Sequence, residues 1–229
     1  MKMRRVVAVG AHPDDETAFA GGMLARYASE GADVRIVGVT RGEGGEAGDP
    51  PLSSLEELGA TRERELRCAA AALGASGVHF LGFVDPRIAV GEEGRRIDAT
   101  LDEFAGAILG VLEELRPDVV LTHGSNGEYG HPQHVFTNQA VRTALARSQA
   151  PHPELLTWCA LEDGQPEDRF TNVGDKADLV VDITPWFDAK CTALACHQTQ
   201  LAMIYRNSKV TDLREIVRKV ERFRRWGSL

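Results

Sequence analysis

An α/β fold, a mostly parallel sheet with helices on both faces, is what the sequence predicts, and three observations predict it. Short apolar runs alternate with stretches of helical spacing, which is the pattern of repeated strand–helix–strand units. Leu101, Phe104, Ile108, Leu112 and Leu115 recur at steps of three and four, as on an amphipathic helix facing a core. The apolar run Val6 to Val9 ends abruptly in His12, Asp14, Asp15 and Glu16. Open α/β sheets place their chemistry at such carboxyl ends of strands.

The elements follow in order. Strands are read at residues 5–10, 33–40, 78–82 and 117–123, with helices at 17–30, 60–74 and 97–116 between them. Residues 155–161 and 179–183 extend the sheet, and 185–203 and 211–225 add helices. The basic run Arg218 to Arg225 then reads as a solvated helix face. Right-handed crossovers make the arrangement Rossmann-like, in a single domain over residues 1–229. Two segments read as functional loops, the Gly- and Pro-rich residues 41–56 and residues 124–131, while 162–177 reads as a surface excursion.

Bulk properties exclude several classes. A formal net charge of −8 argues against a nucleic-acid binder, which carries a basic field. No stretch approaches the roughly 18 apolar residues that span a bilayer, and the N-terminal apolar run is too short for a signal-peptide core. The four cysteines, Cys68, Cys159, Cys191 and Cys196, are scattered without a C-x-x-C pair. They read as buried thiols in a reducing, cytoplasmic compartment rather than as disulfides.

His12 and Asp15, three residues apart, can aim at one cation from a single turn, leaving Asp14 free to act on what that cation binds. Helix capping by Asp14 or Asp15 explains neither the imidazole nor the number of acids. Pro132 marks the start of a helix after the strand at 117–123, which puts His131 and His134 on one face of its first turn. In a doubly wound sheet the first and fourth strands neighbour each other at the topological switch point, so the two clusters meet across the crevice there. Two histidines and one carboxylate plus water make an open catalytic metal site. Such ligands suit zinc, and ferrous iron as well.

At this point the chain resembles the LmbE-like (PIG-L) family of metal-dependent N-acetylglucosamine deacetylases. The resemblance is carried by Ala11-His-Pro-Asp-Asp-Glu16, Tyr129-Gly-His-Pro-Gln-His134 and the C-terminal Lys190-x-x-Ala-Leu-x-x-His197-x-Thr-Gln200. It implies His12, Asp15 and His134 as metal ligands, Asp14 as general base, and His131 with Tyr129 as stabilisers of an oxyanion. It further implies sugar contacts at Glu46, Arg62 and Asp85, with His197 and Gln200 near the site. The substrate it implies is a small N-acetylglucosamine derivative, such as a bacillithiol or mycothiol precursor, and the protein a homo-oligomer. Members acting on mycothiol precursors carry Asp between the two histidines; Gln133 stands there in this chain, and an amide can orient His131 but not pair with its charge.

Other readings remain at this stage. Some relatives cleave larger amides, such as thiol S-conjugates. Arg62 and Asp85 can be read as a structural ion pair, and His197 as support for a pocket wall. Gly42-Glu-Gly-Gly-Glu-Ala47 superficially fits a dinucleotide fingerprint, but it runs into Asp49-Pro50-Pro51 instead of opening a helix. Ser125 lacks the setting of a nucleophile elbow.

Overall fold

The computed structural model describes residues 3–87, 96–149, 152–166 and 168–227. In chain order its elements are β1 (Arg5–Gly10), α1 (Asp15–Ser29), β2 (Asp33–Thr40), α2 (Leu58–Ala72), β3 (Gly77–Phe83), α3 (Leu101–Leu115) and β4 (Val119–Thr122). The one-turn α4 (Gly127–Gly130) and then α5 (Pro132–Arg147), β5 (Glu154–Trp158), β6 (Ala160–Leu161), β7 (Asn172–Lys176) and β8 (Leu179–Asp182) follow. The chain closes with α6 (Phe187–Cys196), α7 (Gln198–Ser208), α8 (Leu213–Ile216) and β9 (Val220–Trp226).

The central sheet has the order β3-β2-β1-β4-β5-β9-β8. Its first five strands are parallel, and β9 runs antiparallel to both β5 and β8. Strand alternation divides the core into two layers. Val6, Ala8, Val34, Val119 and Leu121 pack with α1 and α6, while Val7, Val9, Val37, Val39 and Val120 pack with α3 and α5. Helices therefore cover both faces, as expected, and β1 lies beside β4 with its carboxyl end at the switch point. Among the described residues no helix is long and apolar enough to cross a membrane.

Several expectations need correction. The first is the helix over 211–225, which is the single turn α8 followed by the strand β9. Its alternation is concealed because one inward position is the buried Glu221, neutralised by Lys190 at 2.7 Å, and not an apolar residue. Secondly, the helix over 185–203 is two, parted at His197 (φ −80°, ψ 57°). The third is the strand over 155–161, which breaks at Cys159, where a φ of 57° turns the chain out of the central sheet to pair β6 with β7. Residues 162–177, finally, are no mere surface excursion, since they include β7 and part of a cavity wall. Helix α3 begins at Leu101 instead of 97, because Thr100 and Glu103 close a reciprocal capping box there.

The cysteine reading is also corrected. Cys68 on α2 and Cys196 at the end of α6 form a disulfide across a sequence separation of 128 residues. This removes the ground on which cysteine usage pointed to a reducing compartment. Closing so long a loop restricts the unfolded chain, so Cys68→Ser should lower stability by about 2–5 kcal/mol. The check is the urea midpoint of that variant, and of wild type with and without reductant; coincident midpoints would show that the bond contributes nothing to stability.

Candidate metal centre

The loops leaving β1 and β4 bring together the two clusters that lie far apart in sequence. Every ligand candidate is held by a partner that decides which atom it presents. His134 donates from Nδ1 to Glu128 Oε2 at 2.7 Å, leaving Nε2 bare. His12 donates from Nε2 to Gln133 Oε1 at 3.0 Å, leaving Nδ1 bare. Asp15 Oδ2 accepts the His12 backbone N–H at 2.8 Å.

The bare atoms converge. His12 Nδ1 and His134 Nε2 lie 3.3 Å apart, His134 Nε2 and Asp15 Oδ1 3.3 Å, and His12 Nδ1 and Asp15 Oδ2 3.4 Å. Two bare ring nitrogens and a carboxylate facing one another so closely repel unless a cation sits among them. A tetrahedral ion with bonds of about 2.0–2.1 Å has ligand–ligand edges of about 3.3 Å. The residues present therefore fit a divalent ion, in size and in donor chemistry.

Two further histidines stand close, His131 beside His12 and His134, and His123 beside Asp15 and His134. Both have other duties. His123 is fully buried, donates from Nδ1 to Glu128 at 2.9 Å, and receives the Ala11 backbone N–H on Nε2 at 3.0 Å. His131 caps α5, its Nδ1 accepting the Gln133 backbone N–H at 3.3 Å. That bond fixes the tautomer with the proton on Nε2. Burial and the neighbouring His134 and His12 push the His131 imidazole down to about 3, so it is a neutral donor.

Gln133 does not act on His131 through its amide, as its sequence position suggests. The side chain bridges His12 and Asp85, donating to Asp85 Oδ1 at 2.8 Å. An amide is the group that can accept from one neighbour while donating to the other.

Asp14 ligates nothing among the described residues and sits at the mouth, with a φ of 128°. Only a tightly constrained turn holds a residue other than glycine there. Arg62 provides part of that constraint, with Nη2 reaching Pro13 O at 2.6 Å and Asp14 Oδ2 at 3.2 Å. Burial pushes the Asp14 carboxyl up to about 7, against the pull of Arg62 and with the help of Asp15. Arg62 thus pairs with Asp14, not with Asp85. The glycines of the 41–56 loop make room for it, since a Cβ on Gly42 would lie 2.2 Å from Arg62 Nη1. That run is a sleeve for a guanidinium, not a phosphate cradle.

Of the remaining implied sugar contacts, Asp85, His197 and Gln200 are buried and bonded to protein. Asp85 accepts from Gly44 N and Gln133, and Gln200 donates to Glu46 O at 2.7 Å. Glu46 is exposed, its carboxylate engaged by Arg206. His197 is wholly buried behind α1, with Nε2 3.3 Å from Thr17 Oγ1. Together they fasten the 41–56 loop and α7 to the metal-side scaffold. Burial, with Arg62 nearby, lowers the His197 imidazole from 6.5 to about 3, so it stays neutral in the fold while the unfolded chain takes up a proton. Its contribution is present above pH 6.5 and lost as the pH falls from there toward about 3. His197→Asn should accordingly lose less stability than wild type between about pH 7.5 and about pH 4.5, as read from urea midpoints. An equal loss would assign the acid sensitivity elsewhere.

Sequence reasoning assigned no role to Glu128, His123 or Asn172. Glu128 accepts from His123, His134, Gly124 N and Asn172 Nδ2, all within 3.1 Å. Burial works against the charge, but His123 and His134 hold its carboxyl at about 2. For His123 a signal existed: an imidazole closing a buried strand that neighbours β1. Glu128 and Asn172 have no local signature, because their meaning arises only when β7 folds back over the turn.

A cavity of about 510 Å3 opens beside Asp14 and Asp15. Phe19, Tyr129 and Phe170 line it near the metal side, with ring centroids 5.5 Å apart for Tyr129 and Phe170 and 5.9 Å for Phe19 and Phe170. Tyr129 is half exposed, its ring edge-on to His131 and His134.

Comparison with known proteins gives the following. The family model described as "PIG-L: GlcNAc-PI de-N-acetylase" matches residues 7–145. A 1D-myo-inositol 2-acetamido-2-deoxy-alpha-D-glucopyranoside deacetylase of Mycobacterium sp. (strain JLS) is 35% identical over 230 residues, covering 87% of this chain and 75% of the relative. The N,N'-diacetylchitobiose deacetylase of Pyrococcus horikoshii shares the fold, with a TM-score of 0.75 at 22% identity over 98% of this chain and 84% of that one. So does the 4-carboxy-2-hydroxymuconate hydratase GalB of Pseudomonas putida KT2440, with a TM-score of 0.68 at 23% identity over 98% and 97%. Since that fold also carries a hydratase, the reaction must be argued from the site.

Proposed function

The chain belongs to the PIG-L family of GlcNAc-PI de-N-acetylases, and from that premise we propose that it hydrolyses the acetamide of a small N-acetylglucosamine conjugate at the centre formed by His12, Asp15 and His134. The observation that carries the reading is the convergence of two bare imidazole nitrogens and the Asp15 carboxylate, 3.3–3.4 Å apart, beside the carboxylate of Asp14. Enzymes of this family are metal-dependent hydrolases. Zinc is the ion we assign to this centre, on the strength of its two imidazoles and one carboxylate; ferrous iron suits the same set.

The bound ion would supply Lewis acidity toward the acetamide carbonyl and the attacking water. Asp14 takes the proton of that water as its oxygen bonds to the carbonyl carbon. A carboxyl raised to about 7 is matched to this task near neutral pH, and Arg62 keeps it aimed. His131 donates from Nε2–H to the oxyanion. Tyr129 joins it with a hydroxyl that burial, Asp15 and Asp14 push upward, so that it keeps its proton. As the C–N bond breaks, Asp14 returns its proton to the departing amine, because the neutral His131 is too weakly basic to hold a second one. The products are acetate and a glucosamine derivative.

The test is acetate release from a panel of N-acetylglucosamine conjugates, an inositol glycoside and a chitobiose among them, by zinc-loaded and metal-stripped protein. Release by the loaded form alone supports the reading. Release by neither form, or equally by both, would sink it.

A further inference from the structure

The cavity runs well past the reacting end, between α1, α6, α7 and the segment 168–171, none of whose residues lies in the stretch matched by the family model except those of α1. Four basic side chains line it: Arg169, Lys190, Arg218 and Arg222. Three are committed. Lys190 is paired with Glu221 at 2.7 Å, Arg222 with Glu162 at 2.6 Å, and Arg218 with Asp168. Among the described residues, Arg169 has no carboxylate partner. Its guanidinium lies over the Phe170 ring, 4.4 Å from the centroid. Phe170 in turn packs against Tyr129 and Phe19.

An arginine stacked on a ring keeps its edge donors free while the stack fixes its orientation. The reacting end of the cavity is acidic, with Asp14 and Asp15 on its wall. A divalent ion at that end offsets those two carboxylates, so among the described residues the charge left without a carboxylate partner on the lining is that of Arg169. Resting on the deacetylase reading above, we propose that Arg169 selects conjugates bearing an anionic group, a phosphate or a carboxylate, on the part of the molecule away from the acetamide. The substrate enters with its acetamide toward Asp14 and Asp15 and its anion toward Arg169. The segment 168–171 is thus a specificity wall, attached to a reaction centre that lies on other elements.

The test compares kcat/KM for N-acetylglucosamine 1-phosphate, carboxymethyl N-acetylglucosaminide and the neutral methyl N-acetylglucosaminide. Wild type should prefer the charged sugars, and the better of the two distinguishes phosphate from carboxylate. In Arg169→Ala the charged-to-neutral ratio should fall by about tenfold, the scale of one charge-assisted contact. Arg169→Glu should reverse the preference, and the wild-type preference should weaken with added salt. Equal kcat/KM values in wild type, or an unchanged ratio in Arg169→Ala, would overturn the proposal while leaving the deacetylase reading intact. Calorimetric binding of glucosamine 1-phosphate to the zinc-loaded protein tests the subsite without turnover. Weaker binding by Arg169→Ala supports it, and equal binding overturns it even if no sugar is deacetylated, an outcome that would itself count against the deacetylase reading.

Discussion

Asp14→Asn should lower kcat by about 100- to 10,000-fold, the range for a lost general base, while the protein still folds and binds one metal ion per chain. The amide keeps the shape of the side chain but cannot take a proton. Asparagine also tolerates a positive φ better than most residues, so the strained turn at φ 128° survives. Metal content should hold because the converging donors belong to His12, Asp15 and His134. Arg62→Met gives the companion result. Without the guanidinium at 3.2 Å the Asp14 carboxyl titrates at a higher pH, so the acidic limb of the rate profile moves upward. A variant at position 14 with activity within about tenfold of wild type would remove Asp14 from the base role.

Glu128→Ala should destabilise the fold by about 3–5 kcal/mol, the cost of breaking a buried charged pair from one side. Glu128 is 1% exposed, and its two oxygens gather His123, His134, Gly124 and Asn172. Removing them leaves two imidazole N–H groups and a backbone N–H without partners in the interior, while the Asn172 amide keeps its bond to Trp158 O. Glu128→Gln is gentler and separates stability from metal binding. It keeps the volume but puts an NH2 where a carboxylate oxygen received His134 Nδ1–H or Gly124 N–H. The His134 tautomer is then less firmly set, and zinc affinity should drop by about 10- to 100-fold. A competition titration with a chromophoric chelator measures that drop. Unchanged affinity would mean that His134 is oriented by its helix alone.

What was legible in the sequence follows from how locally each feature is determined. Residues 5–10 and 33–40 carry the apolar runs 6–9 and 36–39, buried on both faces, and their bounds coincide with β1 and β2. The meeting of His12 and Asp15 with His131 and His134 was legible because the switch point is a property of strand order, here β2-β1-β4. The C-terminal strand was not legible, since Arg222, Arg224 and Arg225 have the composition of a solvated helix and Glu221 occupies an inward position. Only Lys190, 31 residues earlier, together with the Gly22 and Met23 backbone N–H groups on α1, makes burying that carboxylate tolerable. Gln133 shows the same limit. Its place between two histidines suggested action on His131, yet its amide turns to His12 and Asp85, a partnership set by the 41–56 loop and β3. The disulfide was hidden for a similar reason, since Cys68 and Cys196 become neighbours only when α6 docks on α2.

The central claim, that deacetylation depends on an ion held by His12, Asp15 and His134, is tested most directly by titrating metal-stripped protein with zinc while following acetate release from an N-acetylglucosamine conjugate. The account predicts no release at the start, a linear rise to a plateau at one equivalent of zinc, and no rise in His134→Ala. Release from the stripped protein, or a full rise in His134→Ala, would contradict it.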